Sequence, residues 1–340
     1  MRKTMPDNPY NMNLSFSASK LLQVFFVCVL ALLGTLAQAQ NTPYPSRNIT
    51  FMVPFTSGTT ADVLGRLLGT KLSERWGVGV VTENRTGVAG VLGSDAVAKA
   101  PPNGYMFLFT ATSHGTVPAT RSKMPYDPIK SFTPVMLLGT SAMCLLINPK
   151  VPAQNLKEFM ELLKLQPGKL DYASPGNGGV QHLGTELFLQ ETGLRMEHVP
   201  YKGAAGAMTD LAGGHVQATL ASLQTASSFI HSGQLRPLAV MSEERSSAFP
   251  QIPSIRELGY PNLIVETWYG VMAPAGVPDD IVQKFNAELN AIMQLPEIKD
   301  AFAKQGVVMV GGKPDRLTQL LNREVPKWAK VVATGKIKIE

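Results

Sequence analysis

Short runs of β-branched and aromatic residues alternate with helical patterns along most of the chain. The run ITFMV at 49–53 predicts a strand. After a Gly/Thr loop, Leu64, Leu68 and Leu72 line one face of a helix. Strand patterns at 78–82 and 105–110, with a helical pattern at 88–99 between them, complete a β-α-β-α-β unit. A second series follows, with strands predicted at 144–148, 170–174, 196–200, 216–221 and 235–241 and helices after Asn155, Gly179 and Gly203 and at 225–231. Asn155 with Glu158 three residues later has the spacing of a capping box. The tail reads as three helices. The first opens at Pro278 with Asp279 and Asp280 in its first turn and Ile281, Phe285, Leu289 and Ile292 on one stripe. The others cover 296–305 and 315–333. This alternation predicts an α/β fold with largely parallel sheets. No internal period of solenoid length occurs.

The one long apolar run precedes all of this. Residues 21–33 (LLQVFFVCVLALL) follow a cationic segment ending at Lys20 and precede Ala37-Gln38-Ala39, the pattern of a secretory leader over 1–39 cleaved after Ala39. The run is too short for a spanning helix, which needs about twenty apolar residues. Met1 or Met12 serves as the start. The leader implies a soluble periplasmic product, and cleavage leaves Cys144 as the only cysteine, so no internal disulfide is expected.

With 44% hydrophobic and 16% charged residues, the 340-residue chain is core-forming, and at this length two lobes are expected. The formal charge of +6 is spread singly, without a phosphate-tracking stripe, which argues against a nucleic-acid partner.

The sequence contains no G-x-S-x-G elbow, Walker A, G-x-G-x-x-G or H-E-x-x-H pattern, and no pair of its five histidines falls at helical spacing. No metal, cofactor or catalytic group is therefore expected. An α/β hydrolase-like enzyme is the rival class, with no nucleophile motif to support it. Two strand-loop-helix junctions stand out instead. The first runs Thr56-Ser57-Gly58-Thr59-Thr60 and on to Asp62, and the second runs from Ser174 through Gly178, Gly179, Val180 and Gln181 to His182. Small residues let backbone N–H groups approach a ligand there, and a helix N-terminus adds partial positive charge, so an anion can be held without Arg or Lys. Asp62 would repel an anion, so it is expected to cap its helix or take a ligand's ammonium group. Thr112, Ser113 and Tyr201 also follow strands and are expected to line the same cleft.

Many ordered motifs resemble one family, the tripartite tricarboxylate transporter receptors, or Bug-type extracytoplasmic solute receptors. They include Tyr44-Pro45-Ser46-Arg47, Val53-Pro54-Phe55 with Asp62, Glu83-Asn84-Arg85, and Pro101-Pro102-Asn103-Gly104-Tyr105. Further along come Tyr172-Ala173-Ser174-Pro175-Gly176-Asn177-Gly178, His198-Val199-Pro200-Tyr201-Lys202-Gly203 and Arg236-Pro237-Leu238. The resemblance implies a two-lobed periplasmic binding protein fold with an interlobe ligand cleft, 43–140 plus 267–340 forming the first lobe and 141–266 the second. It implies a small carboxylate ligand held through backbone amides and water. The partner would be the membrane permease of a tripartite tricarboxylate transporter, or alternatively a sensor protein. Against the family pattern, the first loop keeps only Gly58, Gly179 and Val180 stand where a Thr or Ser pair is usual, and Ala221 stands where many relatives carry Asp.

Overall fold

Two strands, one early and one late, organise the sheet. The computed structural model describes residues 43–337, and residues from Arg47 onward form one unit, to which all that follows refers. The expected leader lies outside the described residues. The elements in order are β1 (Ile49–Val53), α1 (Thr60–Trp76), β2 (Val80–Asn84), α2 (Val91–Ala98), β3 (Met106–Ala111), the one-turn α3 (Ser113–Thr116) and β4 (Phe132–Ile147). They continue with α4 (Leu156–Leu165), β5 (Asp171–Ser174), α5 (Val180–Thr192), β6 (Glu197–Pro200), α6 (Ala204–Gly213), β7 (Ala218–Ser222), α7 (Leu223–His231) and β8 (Arg236–Val240). The last are β9 (Glu266–Pro274), α8 (Asp279–Met293), α9 (Pro296–Lys304), β10 (Val308–Met309) and α10 (Asp315–Gly335).

The strand order is β2-β1-β3-β9-β4-β7-β5-β6, with β8 and β10 also pairing with β4. Within each predicted β-α-β series the pairs are parallel: β2-β1-β3 on one side and β7-β5-β6 on the other. The two series are joined by antiparallel pairing through β9 and β4, so the sheet is mixed rather than largely parallel. At the crossing, Thr140, Ser141 and Ala142 of β4 face Trp268, Thr267 and Glu266 of β9. Thr267 Oγ1 also donates to the Ser141 carbonyl, at 3.1 Å.

The sequence foresaw only the end of β4. This strand is 16 residues long and buried along most of its length, so FTPVMLLGTSAMCLLI shows no alternation to betray a strand. β9 was not expected as a strand either. The predicted helix at 88–99 starts at Val91, because Val88 and Ala89 take left-handed backbone angles between Gly87 and Gly90. Asn155 does cap α4: its side chain accepts from the Glu158 N–H at 3.0 Å, and Glu158 Oε2 accepts from the Gln154 N–H at 2.7 Å.

Separate apolar cores back the two series. Met52, Leu108, Trp268, Leu317 and Leu321 share one, while Leu145, Leu183, Phe188, Leu220 and Val265 share another. α10 takes part in both, since Leu317 and Leu321 pack in the first core and Trp328, Val331 and Val332 in the second. The apolar stripe on the last turns of α10 is buried against α5.

Candidate functional site

A cavity of about 330 Å³ opens between the segment 111–121 and the loop 177–181. β3 delivers Ala111 to its wall, α3 and the turn after it bring Ser113, Thr116, Val117, Thr120 and Arg121, and β9 brings Thr267 and Tyr269. From the other side come Asn177, Gly178, Gly179, Val180 and Gln181, at the entry to α5. Phe55 and Ala89 close the rim.

Six of the sequence-predicted residues meet here: Thr112, Ser113, Gly178, Gly179, Val180 and Gln181. The N-terminus of α5 has no side-chain cap, and its N-cap is Gly179, so the first backbone N–H groups of the helix are left to whatever occupies the cavity. Gly178 plays a different part from the one expected. Its N–H donates to His182 Nδ1 at 3.0 Å, so it shapes the loop. Its φ of +74° belongs to the left-handed region that glycine tolerates. Thr112 is buried and its Oγ1 accepts the Trp268 N–H at 2.7 Å, which fixes the turn carrying Ser113.

The other predicted residues stand outside the cavity wall. Asp62 is 2% exposed and fully engaged: Oδ2 accepts from Ser57 Oγ and the Gly58 N–H, and Oδ1 accepts from Arg66 Nε and Asn84 Nδ2. Burial alone would raise its pKa, but the hydrogen bonds from Arg66, Gly58 and Asn84 outweigh that and hold it down to about 2. Asp62 thus stays ionised and braces the first loop. Thr56, Ser57 and Gly58 are exposed. Thr59 Oγ1 donates to the Thr56 carbonyl and Thr60 Oγ1 to Gln305 Oε1, both at 2.9 Å. Ser174 is fully buried, with its Oγ 2.7 Å from His198 Nε2 and 2.9 Å from the Gly176 carbonyl, so it props the second loop from beneath. Tyr201 donates its hydroxyl to Asp210 Oδ2 at 2.7 Å. Ala221 borders a void of about 20 Å³ behind Gln181 rather than the cavity itself.

Sequence reading missed Arg121 and Tyr269. Arg121 brings a basic residue to the lining of the cavity. Tyr269 is hydrogen-bonded to Thr60 and Thr267, and burial pushes its pKa up, so the hydroxyl stays neutral. No Asp or Glu lines the cavity. Chemically the site offers uncapped helix amides, one guanidinium, hydroxyls of Ser113 and Thr116, and an apolar wall of Phe55, Val117 and Val180. No group of three or more His, Cys, Asp or Glu suited to a metal ion occurs among the described residues.

Comparison with known proteins points the same way. The model of the tripartite tricarboxylate transporter family receptor matches residues 64–336. Protein BugT of Bordetella pertussis is 35% identical over 316 residues, covering 92% of this chain and 97% of its own. Among solved structures, the R. palustris protein Rpa4515 with adipate has 33% identity and a TM-score of 0.72, over 88% of this chain and all of that one. MatC from Rhodopseudomonas palustris with bound malate has 29% identity and a TM-score of 0.69, over 85% of this chain and all of that one.

Proposed function

The chain belongs to the tripartite tricarboxylate transporter receptor family, a family of periplasmic solute receptors rather than enzymes, and we propose that it binds a small organic carboxylate in the cavity just described. The observation that carries this reading is the uncapped N-terminus of α5 facing a cavity that holds Arg121 and no acidic side chain. Helix amides and a guanidinium both favour a carboxylate and disfavour a cation. The adipate and malate bound by two structural relatives belong to the same chemical class. Phe55, Val117 and Val180 suit an acid with an apolar body.

In this reading, 43–140 with 267–340 forms one lobe and 141–266 the other, and the paired crossing of β4 and β9 is the hinge about which they close on the ligand. Leader cleavage after Ala39 sends the protein to the periplasm, and the closed form presents the acid to a membrane permease.

A thermal-shift screen tests the proposal. A receptor is stabilised by RT ln(1 + [L]/Kd), about 2.7 kcal/mol at a hundredfold excess of ligand over Kd, and leaves the ligand unchanged. Stabilisation by amines and sugars, with no response to any carboxylate, would refute it.

A further inference from the structure

Beneath the loop 174–182, two imidazole rings lie face to face. His182, in the first turn of α5, and His198, on β6, have ring centroids 3.9 Å apart and planes inclined by 10°. Tyr172 of β5 extends the stack, 4.9 Å from His198. Each ring holds a different part of the binding loop. His182 Nδ1 accepts the Gly178 N–H at 3.0 Å. His198 Nε2 meets Ser174 Oγ at 2.7 Å, and Ser174 Oγ in turn reaches the Gly176 carbonyl at 2.9 Å. The network fixes the tautomers. A nitrogen that accepts an amide proton carries none, so the proton of His182 sits on Nε2. Ser174 has one hydroxyl proton, and with that proton on the Gly176 carbonyl, His198 Nε2–H is the donor to Ser174.

We propose that His182 is a positioning residue for the ligand: its unprotonated Nδ1 holds Gly178 in the left-handed turn that presents the α5 amides to the cavity, and protonation there releases the loop. The inference rests on the reading of the cavity as the carboxylate site. A proton on Nδ1 turns an acceptor into a donor facing the Gly178 N–H, so this bond cannot survive it. The stack adds a second constraint, because two imidazolium rings at this separation repel, and the pair takes up one proton before the other.

Tyr172 on β5 donates its hydroxyl to Glu186 Oε1 of α5 at 2.5 Å, and its pKa is raised by burial and by Glu186, so it remains neutral. Glu186 has a raised pKa, first through burial and then through repulsion from Glu197 of β6. From α10, Gly335 comes close enough to Glu186 that a Cβ there would stand 3.5 Å from Oε2. Across the loop, Thr120 and Arg121 complete the setting. None of these carboxylates is hydrogen-bonded to either imidazole. Burial, joined at His182 by the charge of His198, lowers both rings to about 4, so the loop is locked at neutral pH and released in acid.

Amide exchange in the ligand-free protein, followed by NMR, tests this without knowledge of the ligand. Expressed as protection over the intrinsic rate, Gly178 should lose at least about tenfold between about pH 6 and pH 3.5, while the Leu108 amide in β3 stays protected. The His182 Nδ1 resonance should move with the same midpoint. His182→Asn retains an acceptor that does not titrate and should flatten the Gly178 profile. Constant Gly178 protection while His182 titrates, or an unchanged midpoint in His182→Asn, would overturn the proposal. A second arm uses glutarate as the probe at about pH 6, where His182→Leu should bind at least about tenfold more weakly than wild type and His182→Asn within about threefold. Equal losses in both variants would also overturn it. Failure of wild type to bind glutarate or any other small acid would count against the reading of the cavity, and the exchange arm would still decide the role of His182.

Discussion

Gly178 and Thr120 meet across the cavity so closely that a Cβ on Gly178 would lie 3.0 Å from Thr120 Cγ2. The two residues come from the two different parallel series of the sheet, one from the loop after β5 and the other from the turn after α3. Gly178 also holds a φ of +74°, so a side chain there meets both backbone strain and Thr120. Gly178→Val should therefore weaken carboxylate binding at least about tenfold, since a β-branched residue in the left-handed region costs on the order of 1–3 kcal/mol. Lys164→Ala, at an exposed position on α4, should change affinity by less than about twofold. Calorimetric titration of both variants checks the pair, and equal effects would place the site elsewhere.

Arg121 is expected to distinguish acids by charge. A guanidinium in the cavity wall favours a second anionic group beyond the one held by the α5 amides. Arg121→Gln should cost a dicarboxylate about 1.5–3 kcal/mol and a monocarboxylate of similar size much less. Affinities for glutarate and butyrate, measured at two salt concentrations, separate these effects.

The absence of any Asp or Glu from the cavity wall makes a second prediction about ligand class. An ammonium group buried there would lack a counter-ion, and Asp62 is already engaged by four donors, Ser57 and Gly58 of the first loop, Arg66 of α1 and Asn84 of β2. Glutarate should bind at least about tenfold more tightly than glutamate. Asp62→Asn should leave that ratio unchanged and lower stability by about 1–3 kcal/mol, because the Arg66 guanidinium and Gly58 N–H lose a charged acceptor. Competition binding and urea unfolding read out the two halves.

His114 predicts part of the acid limb of stability. It is 3% exposed, its Nε2 lies 2.8 Å from the Pro128 carbonyl, and its ring stacks on Tyr126 and meets Phe132 edge-on. Burial lowers its pKa to about 4, against the opposing pull of the Pro128 carbonyl. The unfolded ring takes up its proton near pH 6.5 and the folded ring only near 4, so the unfolded state binds more protons between them. Stability from His114 is thus complete above about pH 6.5 and falls as pH drops toward 4, by about 3 kcal/mol at most. Urea unfolding at about pH 7 and pH 4.5 should show the loss, and His114→Gln should reduce it.

Much of this architecture was legible because local chemistry and fold agree. The apolar stripe of α1, the cap at Asn155 and the glycine entry to α5 all act within a few residues and leave a mark in sequence. β4 and β9 left little, because strands buried on both faces lose the alternation that identifies a strand. The cavity was half-legible for a similar reason. The Gly-rich side was visible as a loop before a helix, but Thr116, Thr120 and Arg121 sit around a four-residue helix with no periodicity. Asp62 is a different case. Its charge beside a hydroxyl-rich loop left helix capping and a ligand's ammonium group both open, and the donors it meets come partly from distant Arg66 and Asn84, which the local sequence does not mark.

The most direct measurement is a crystal structure with the tightest-binding acid from the screen. A carboxylate oxygen should lie within about 3.2 Å of the Val180 or Gln181 N–H, with the rest of the ligand against Phe55 and Val117. An acid found instead in the separate pocket bordered by Arg245 and Lys304, with the α5 N-terminus facing water alone, would contradict it.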